Sequence, residues 1–214
     1  MESSNGKILG FIGPIGGGKT FQLEIARQNS QSEQRKFITG DFSDGIRSSV
    51  LKIFGVEDKG AVLEPSDENY LEWKQIQDVI MFPTEHCQLE GFCFKYRDLL
   101  KNVGEYFKKL AGEDVWARWT SNDICRKYYE LPESERDRCN VAFGSVRFGV
   151  EVAMVFNIAK IINKEVQLIF CNYHGVEYNS NVHISELLAH QLIFRGYDDG
   201  ADVTEAVKEI YKIQ

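Results

Sequence analysis

The stretch KILGFIGPIGGGKT, residues 7–20, decides how the rest of the chain is read. Ile8, Leu9, Phe11 and Ile12 form a short apolar run, which the chain leaves at Gly13 and Pro14. Ile15, Gly16, Gly17 and Gly18 then deliver Lys19 and Thr20 to the start of a predicted helix. This is the pattern G-x-x-x-x-G-K-[ST] with a strand before it and a helix after it, the context a phosphate-binding P-loop requires. Glycines let successive backbone N–H groups curl around phosphate oxygens, the lysine reaches the β- and γ-phosphates, and the threonine hydroxyl holds Mg²⁺. The helix N-terminus adds the positive end of its dipole. Gly13, Pro14, Ile15, Gly16, Gly17, Gly18, Lys19 and Thr20 are therefore the candidate triphosphate site, and Thr20 the candidate metal ligand.

Working outward, Phe21, Ile25 and Ala26 mark an apolar helical stripe that fades in the polar run QNSQSEQ, residues 28–34, read as a loop. KFITG, residues 36–40, predicts a second strand, and Ile46, Val50, Leu51 and Phe54 recur at helical spacing after it. The βαβα order implies an α/β protein with a parallel sheet, helices on both faces, and ligands at the carboxyl ends of the strands. Residues 55–95 lose the pattern, apart from a short helical segment around Leu71–Ile80, and read as an insertion over the site. Tyr96, Leu99, Leu100, Val103, Phe107 and Leu110 then share one helical face, and Val115, Trp116 and Trp119 follow on a second helix.

LPESERDRC, residues 131–139, reads as a charged loop, and VAFGSV, residues 141–146, as a buried strand ending near Arg147. A largely apolar helix from Val150 to Ile162 precedes the strand VQLIFC, residues 166–171. Residues 172–181 have no periodicity and form a candidate lid. Ser185 is placed to cap a helix through Ala189 and Leu192, and Asp202 with Glu205 to cap the last one. No repeat or interdomain linker interrupts the chain, so one domain over 1–214 is expected, its core from 7–54 and 96–214.

At 214 residues, 43% of them hydrophobic, the chain can bury one sizeable core. Its net charge of −7 counts against nucleic acid or an acidic membrane as partner and favours small phosphorylated ligands held by a local basic site. The opening MESSNG has no basic or apolar signal region, and no apolar run reaches membrane-spanning length, so a soluble cytoplasmic protein is expected. Five cysteines without a C-x-x-C pair argue for free thiols. His86, Cys87 and Cys93 cluster in sequence but lack a clear fourth zinc ligand.

The acceptor of any phosphoryl transfer has to be sought elsewhere. Arg47, Arg97 and Arg147 fall where strands end or helices face the presumed cleft, and arginine suits planar, bidentate phosphate binding. Here the spacing resembles a known family. FSDGIR (42–47), YRDLLKNVG (96–104), SVRFGVE (145–151) and NVHISE (181–186) resemble, in order, the FADPLK-type, R-x-L-L-Q-x-x-G, D-V-R-F-x-N-E and S-H-x-S-E motifs of phage-type deoxynucleoside monophosphate kinases.

That resemblance implies a three-layer P-loop kinase fold, ATP and Mg²⁺ as cofactors, and transfer of the γ-phosphoryl of ATP to a (deoxy)nucleoside 5′-monophosphate. It implies Lys19, Arg97 and Arg147 as catalytic residues. Asp44, Arg47, Arg97, Trp116, Arg147 and Glu151 would bind the acceptor nucleotide, with 55–95 as the acceptor-side insertion. Trp116 has a core position as its ordinary alternative, and Glu151 could instead pair with Arg147 four residues earlier. The cytoplasm of a phage-infected or bacterial cell is the implied setting, and a homodimer is left open.

Departures from the pattern bear on the acceptor. Ser145 stands where the family carries an aspartate, Gly45 where it has proline, Lys101 where it has glutamine, and Asn172 and Tyr173 where a lid arginine is often found. Asp41 or Asp44 could supply the missing carboxylate. The rival readings are a P-loop kinase with another acceptor, such as a modified base in DNA or a small phosphorylated metabolite, and a nucleotide-binding regulatory protein without transfer activity.

Overall fold

The structure, a computed structural model, describes residues 5–55 and 96–213, with side chains in the second stretch from Leu99 onward. The expected insertion with its helical segment, and the cluster His86, Cys87 and Cys93, lie outside the described residues. The chain divides into two compact units, Met1–Phe42 with Ala117–Gln214, and Ser43–Trp116.

The first unit is built on four parallel strands: β1 (Ile8–Ile12), β2 (Phe37–Gly40), β3 (Asn140–Phe143) and β4 (Val166–Phe170), in the order β2-β3-β1-β4. Ile8 stands opposite Val141 on one side and Val166 on the other. The apolar runs alternate with period two and are buried on both faces, as a parallel sheet covered by helices demands. Ile8, Ile12, Ile38, Val141, Phe143, Leu168 and Phe170 form one face. They pack with Ile124 of α4 (Val115–Glu130), Val152, Val155 and Ile158 of α6 (Gly149–Ile162), Leu188 and Leu192 of α7 (Leu187–Phe194) and Val207 of α8 (Thr204–Tyr211). Leu9, Phe11, Phe37, Ala142 and Ile169 form the other face, against Leu23 and Ala26 of α1 (Lys19–Ser32). The fold is thus the α/β arrangement in three layers that the pattern implies, and all four strand ends open on the same edge.

Several boundaries differ from the sequence reading. α1 continues to Ser32 through the polar run, because Ser30 is buried, donates to the Ala26 carbonyl and accepts from Asn140 Nδ2, both at 2.9 Å. β3 ends at Phe143 and not at residue 146, since the Val146 N–H turns away to the Phe11 carbonyl (3.0 Å). β4 stops at Phe170, one residue before Cys171, and β2 begins at Phe37. The charged segment 131–139 holds one helical turn, α5 (Glu133–Arg136), entered through Pro132 at φ −54. Ser185 caps no helix: it lies inside a 3₁₀ turn, Ile184–Glu186, where His183 Nδ1 accepts its N–H at 3.2 Å. Asp202 does accept the N–H and hydroxyl of Thr204 (2.9 and 2.6 Å), but Glu205 pairs forward with Lys208.

In the second unit, α2 (Asp44–Phe54) packs on α3 (Tyr96–Ala111) through Val50, Leu99 and Val103, flanked by Ile46, Leu100 and Phe107. α2 ends in a left-handed Gly55 (φ 67), the usual device for stopping a helix.

Candidate phosphate-loop site

The loop after β1 folds as its glycines require. Gly17 N–H donates to the Pro14 carbonyl at 2.9 Å, and Gly18 enters α1 at φ +89, a left-handed conformation that side-chained residues rarely adopt. A Cβ at Gly13 would collide with the Cys171 carbonyl, whose own residue is bound by its N–H to Ile12 (2.7 Å). The close packing of β1 against the end of β4 therefore excludes any larger residue there. Lys19 reaches back so that Nζ donates to the carbonyls of Gly13 (2.6 Å) and Pro14 (2.7 Å). Thr20 is exposed in the first turn of α1, beside the glycine-rich cradle.

Burial pushes the Lys19 pKa down, and the Arg147 charge pushes it the same way; Glu186, Cys171 and Asp41 oppose them. These groups come from the ends of β2, β3 and β4 and from the turn before α7. Asp41 follows β2 directly. Ser145 and Arg147 follow β3: the Arg147 Nε donates to the buried Ser145 hydroxyl at 2.7 Å. Glu151 sits at the third position of α6, where Oε2 accepts the backbone N–H groups of Arg147 (2.7 Å) and Phe148 (3.1 Å). The carboxylate thus holds the main chain of Arg147 and the guanidinium is held by Ser145, so the alternative reading of Glu151, a side-chain pair with Arg147 along the helix, is replaced by a main-chain contact. Burial raises the Glu151 pKa to about 7, with Asp41 adding to the rise and the two N–H bonds and Arg147 opposing it. Cys171 is no nucleophile here, its thiol pushed up to about 12 by burial and then by Asp199.

Two features escaped the sequence reading. Phe21 and Tyr173 are 58% and 64% exposed, with ring centroids 6.1 Å apart, at the exit of the loop. Tyr173 N–H donates to the Gly17 carbonyl (3.2 Å), which fixes that ring beside the loop. The other is Glu186, whose Oε2 accepts the Ile15 N–H at 2.7 Å. Tyr173 was legible only as a replaced lid position and Glu186 only as the end of a motif. The candidate lid, 172–181, is an irregular loop folded around Asn172, whose Oδ1 accepts from Val176 N–H (2.8 Å) and whose N–H donates to Asp199 (2.6 Å).

Asp44, Arg47, Arg97 and Trp116 belong to the second unit. Asp44 opens α2, and Arg47 Nε donates to the Ser43 hydroxyl at 3.3 Å. Arg97 lies on α3, its side chain outside the described residues. Trp116 is buried, its indole N–H donating to the Gly104 carbonyl (3.0 Å) and its ring edge-on to Phe107 at 5.5 Å, which is the core position that was its ordinary alternative.

A Mg²⁺ ion that accompanies a triphosphate needs only one or two protein oxygens. The Thr20 hydroxyl and the Asp41 carboxylate are donors of the right kind, Asp41 lying near enough to Lys19 for its charge to act there. Among the described residues no cluster of three or more His, Cys, Asp or Glu forms a dedicated metal cage.

No protein-family model and no curated protein matches the chain. Among solved structures, a mutant of the APS kinase of Mycobacterium tuberculosis aligns over 89% of this chain and 97% of its own, with 12% identity and a TM-score of 0.31. A likeness of that size carries no argument about fold or function. Among the described residues no helix is long and apolar enough to cross a membrane.

Proposed function

We propose that the chain is a P-loop phosphotransferase that uses ATP, and more narrowly a (deoxy)nucleoside 5′-monophosphate kinase. The observation that carries the first part is the loop itself: left-handed Gly18 at the start of α1, Gly13 pressed on Cys171, and Lys19 folded over the loop carbonyls, all at the carboxyl edge of a parallel sheet. The narrower part is supported by the order of the resembling motifs.

In this reading residues 13–20 cradle the triphosphate and Lys19 neutralises charge on the transferring group, while Thr20 and Asp41 would hold Mg²⁺, which would supply further charge neutralisation there. Arg147, pinned by Ser145, presents a fixed guanidinium on the same edge. Arg47 and Arg97, with Asp44, are assigned to the acceptor by motif resemblance, and Trp116 packs against Phe107. Glu151 acts by holding the Arg147 backbone.

Ser145 fits a phosphate acceptor. A phosphate monoester, with a second pKa of about 6, is largely dianionic at neutral pH, whereas a hydroxyl acceptor needs a base to take its proton. A serine hydroxyl already engaged by a guanidinium is no such base.

The test is ADP release from ATP with each deoxynucleoside monophosphate, and with DNA, with Lys19→Ala and Arg147→Ala as controls. Turnover that depends on a monophosphate and falls in both variants supports the reading. Turnover with DNA alone points to a different acceptor, and ATP binding without turnover to a regulatory protein.

A further inference from the structure

The carboxylate of Glu186 reaches the phosphate loop from 171 residues away, Oε2 accepting the Ile15 N–H at 2.7 Å. The residue is only 7% exposed and closes the 3₁₀ turn Ile184–Glu186 that His183 caps. Glutamates so buried are almost always paired with a cation. Among the described residues Glu186 has no direct ion pair, and its second oxygen, Oε1, has no hydrogen-bond partner. Packing does not explain it either: the neighbouring Leu188 and Leu192 fill the core under α7, and an apolar side chain at 186 would spare the fold an orphaned buried oxygen. What Glu186 does have is the loop, through the Ile15 N–H and through its charge, which opposes the burial and the Arg147 charge that both disfavour the Lys19 ammonium.

We propose that Glu186 is a positioning residue of the phosphate loop. Its bond to Ile15 fixes the outer limb of the turn that Gly17 closes on Pro14, and its charge favours the Lys19 ammonium against burial and the Arg147 charge. Both effects place the donor-phosphate groups ahead of binding, so that less ordering is left for the nucleotide to drive. The proposal rests on the P-loop reading above, and it ties the segment 183–187 to the donor site rather than to the acceptor.

The test uses the full chain with Glu186→Ala and Glu186→Gln, measuring ATP affinity by calorimetry, KM for ATP against kcat, and the alkaline limb of ATP binding. The alanine variant is expected to bind ATP at least tenfold more weakly. Glutamine keeps an acceptor for the Ile15 N–H and should recover most of that affinity at neutral pH, while its alkaline limb moves to lower pH as Lys19 loses the opposing charge. Wild-type ATP affinity in both variants overturns the proposal while leaving the P-loop reading intact. Equal losses in both that follow a lowered melting temperature, with the limb unmoved, overturn it too. A folded wild-type chain that binds no nucleotide overturns both.

Discussion

Glu151 accepts the main-chain N–H of Arg147 at 2.7 Å, and the same oxygen accepts that of Phe148 at 3.1 Å. One carboxylate thereby fixes the turn that carries Arg147 and starts α6. Its pKa is raised to about 7, chiefly by burial. The sign follows directly. Between the ordinary value of about 4.3 and the folded value, the native state holds a proton that the unfolded chain releases, so stability falls as pH rises through that window. The loss over the whole window is up to about 4 kcal/mol, about 3 kcal/mol of it between pH 5 and pH 8. Chemical denaturation at pH 5 and pH 8 should show this difference in the wild type and most of it gone in Glu151→Gln, whose carbonyl can still accept the N–H bonds. Equal pH dependence in the two proteins would remove Glu151 as its source.

Lys19 is costly to bury and is held by two carbonyls, at 2.6 and 2.7 Å. Its replacement should therefore separate function from stability. Lys19→Ala is expected to reduce turnover on the order of 10²-fold, as removal of a charge-stabilising donor does. The melting temperature should hold or rise, because a desolvated ammonium is removed. A fall in melting temperature matched to the loss of turnover would contradict this.

The Ser145 hydroxyl takes the Nε hydrogen of Arg147 at 2.7 Å and is itself 7% exposed. Ser145→Ala leaves the guanidinium charged but free to turn. A charge-assisted hydrogen bond is worth roughly 1.5–3 kcal/mol, so kcat/KM for the acceptor should fall about tenfold or more with little change in ATP affinity. An effect confined to ATP would move Arg147 to the donor side.

Trp116 donates its indole N–H to Gly104 at 3.0 Å inside the second unit. Trp116→Phe keeps an aromatic ring against Phe107 and removes that bond. Stability should drop by about 1 kcal/mol while acceptor KM stays within twofold. A stacking platform would behave the other way, with KM rising and stability unchanged.

The reach of the sequence varied with how local the deciding contact is. The strand, the turn that Gly17 closes on Pro14 and the helix start at residues 8–20 follow from neighbours in the chain, and they fold as read. The end of α1 was misplaced because a polar run stays helical only when Ser30 meets Asn140, 110 residues on. The end of β3 depends on the Val146 N–H finding Phe11, and α7 lacks the expected serine cap because Ser185 lies inside a 3₁₀ turn that His183 caps. Within the candidate site, Lys19 and Arg147 stand out in the sequence because charge and motif single them out. Glu186 was not, since nothing near position 186 announces that its carboxylate reaches Ile15.

The aromatic pair at the loop exit offers a last discrimination. Phe21 and Tyr173 stand 6.1 Å apart and largely exposed, with Tyr173 anchored by its N–H to Gly17. Large exposed rings next to a phosphate cradle suit a nucleobase, which stacks on aromatic faces for roughly 1–3 kcal/mol. Tyr173→Ala should therefore raise KM for ATP about tenfold, by loss of stacking alone. Inorganic tripolyphosphate, which has the phosphates without the base, should compete equally well against both proteins. If tripolyphosphate binding weakens in parallel with ATP, Tyr173 supports the loop through its packing beside Gly18, and the base lies elsewhere.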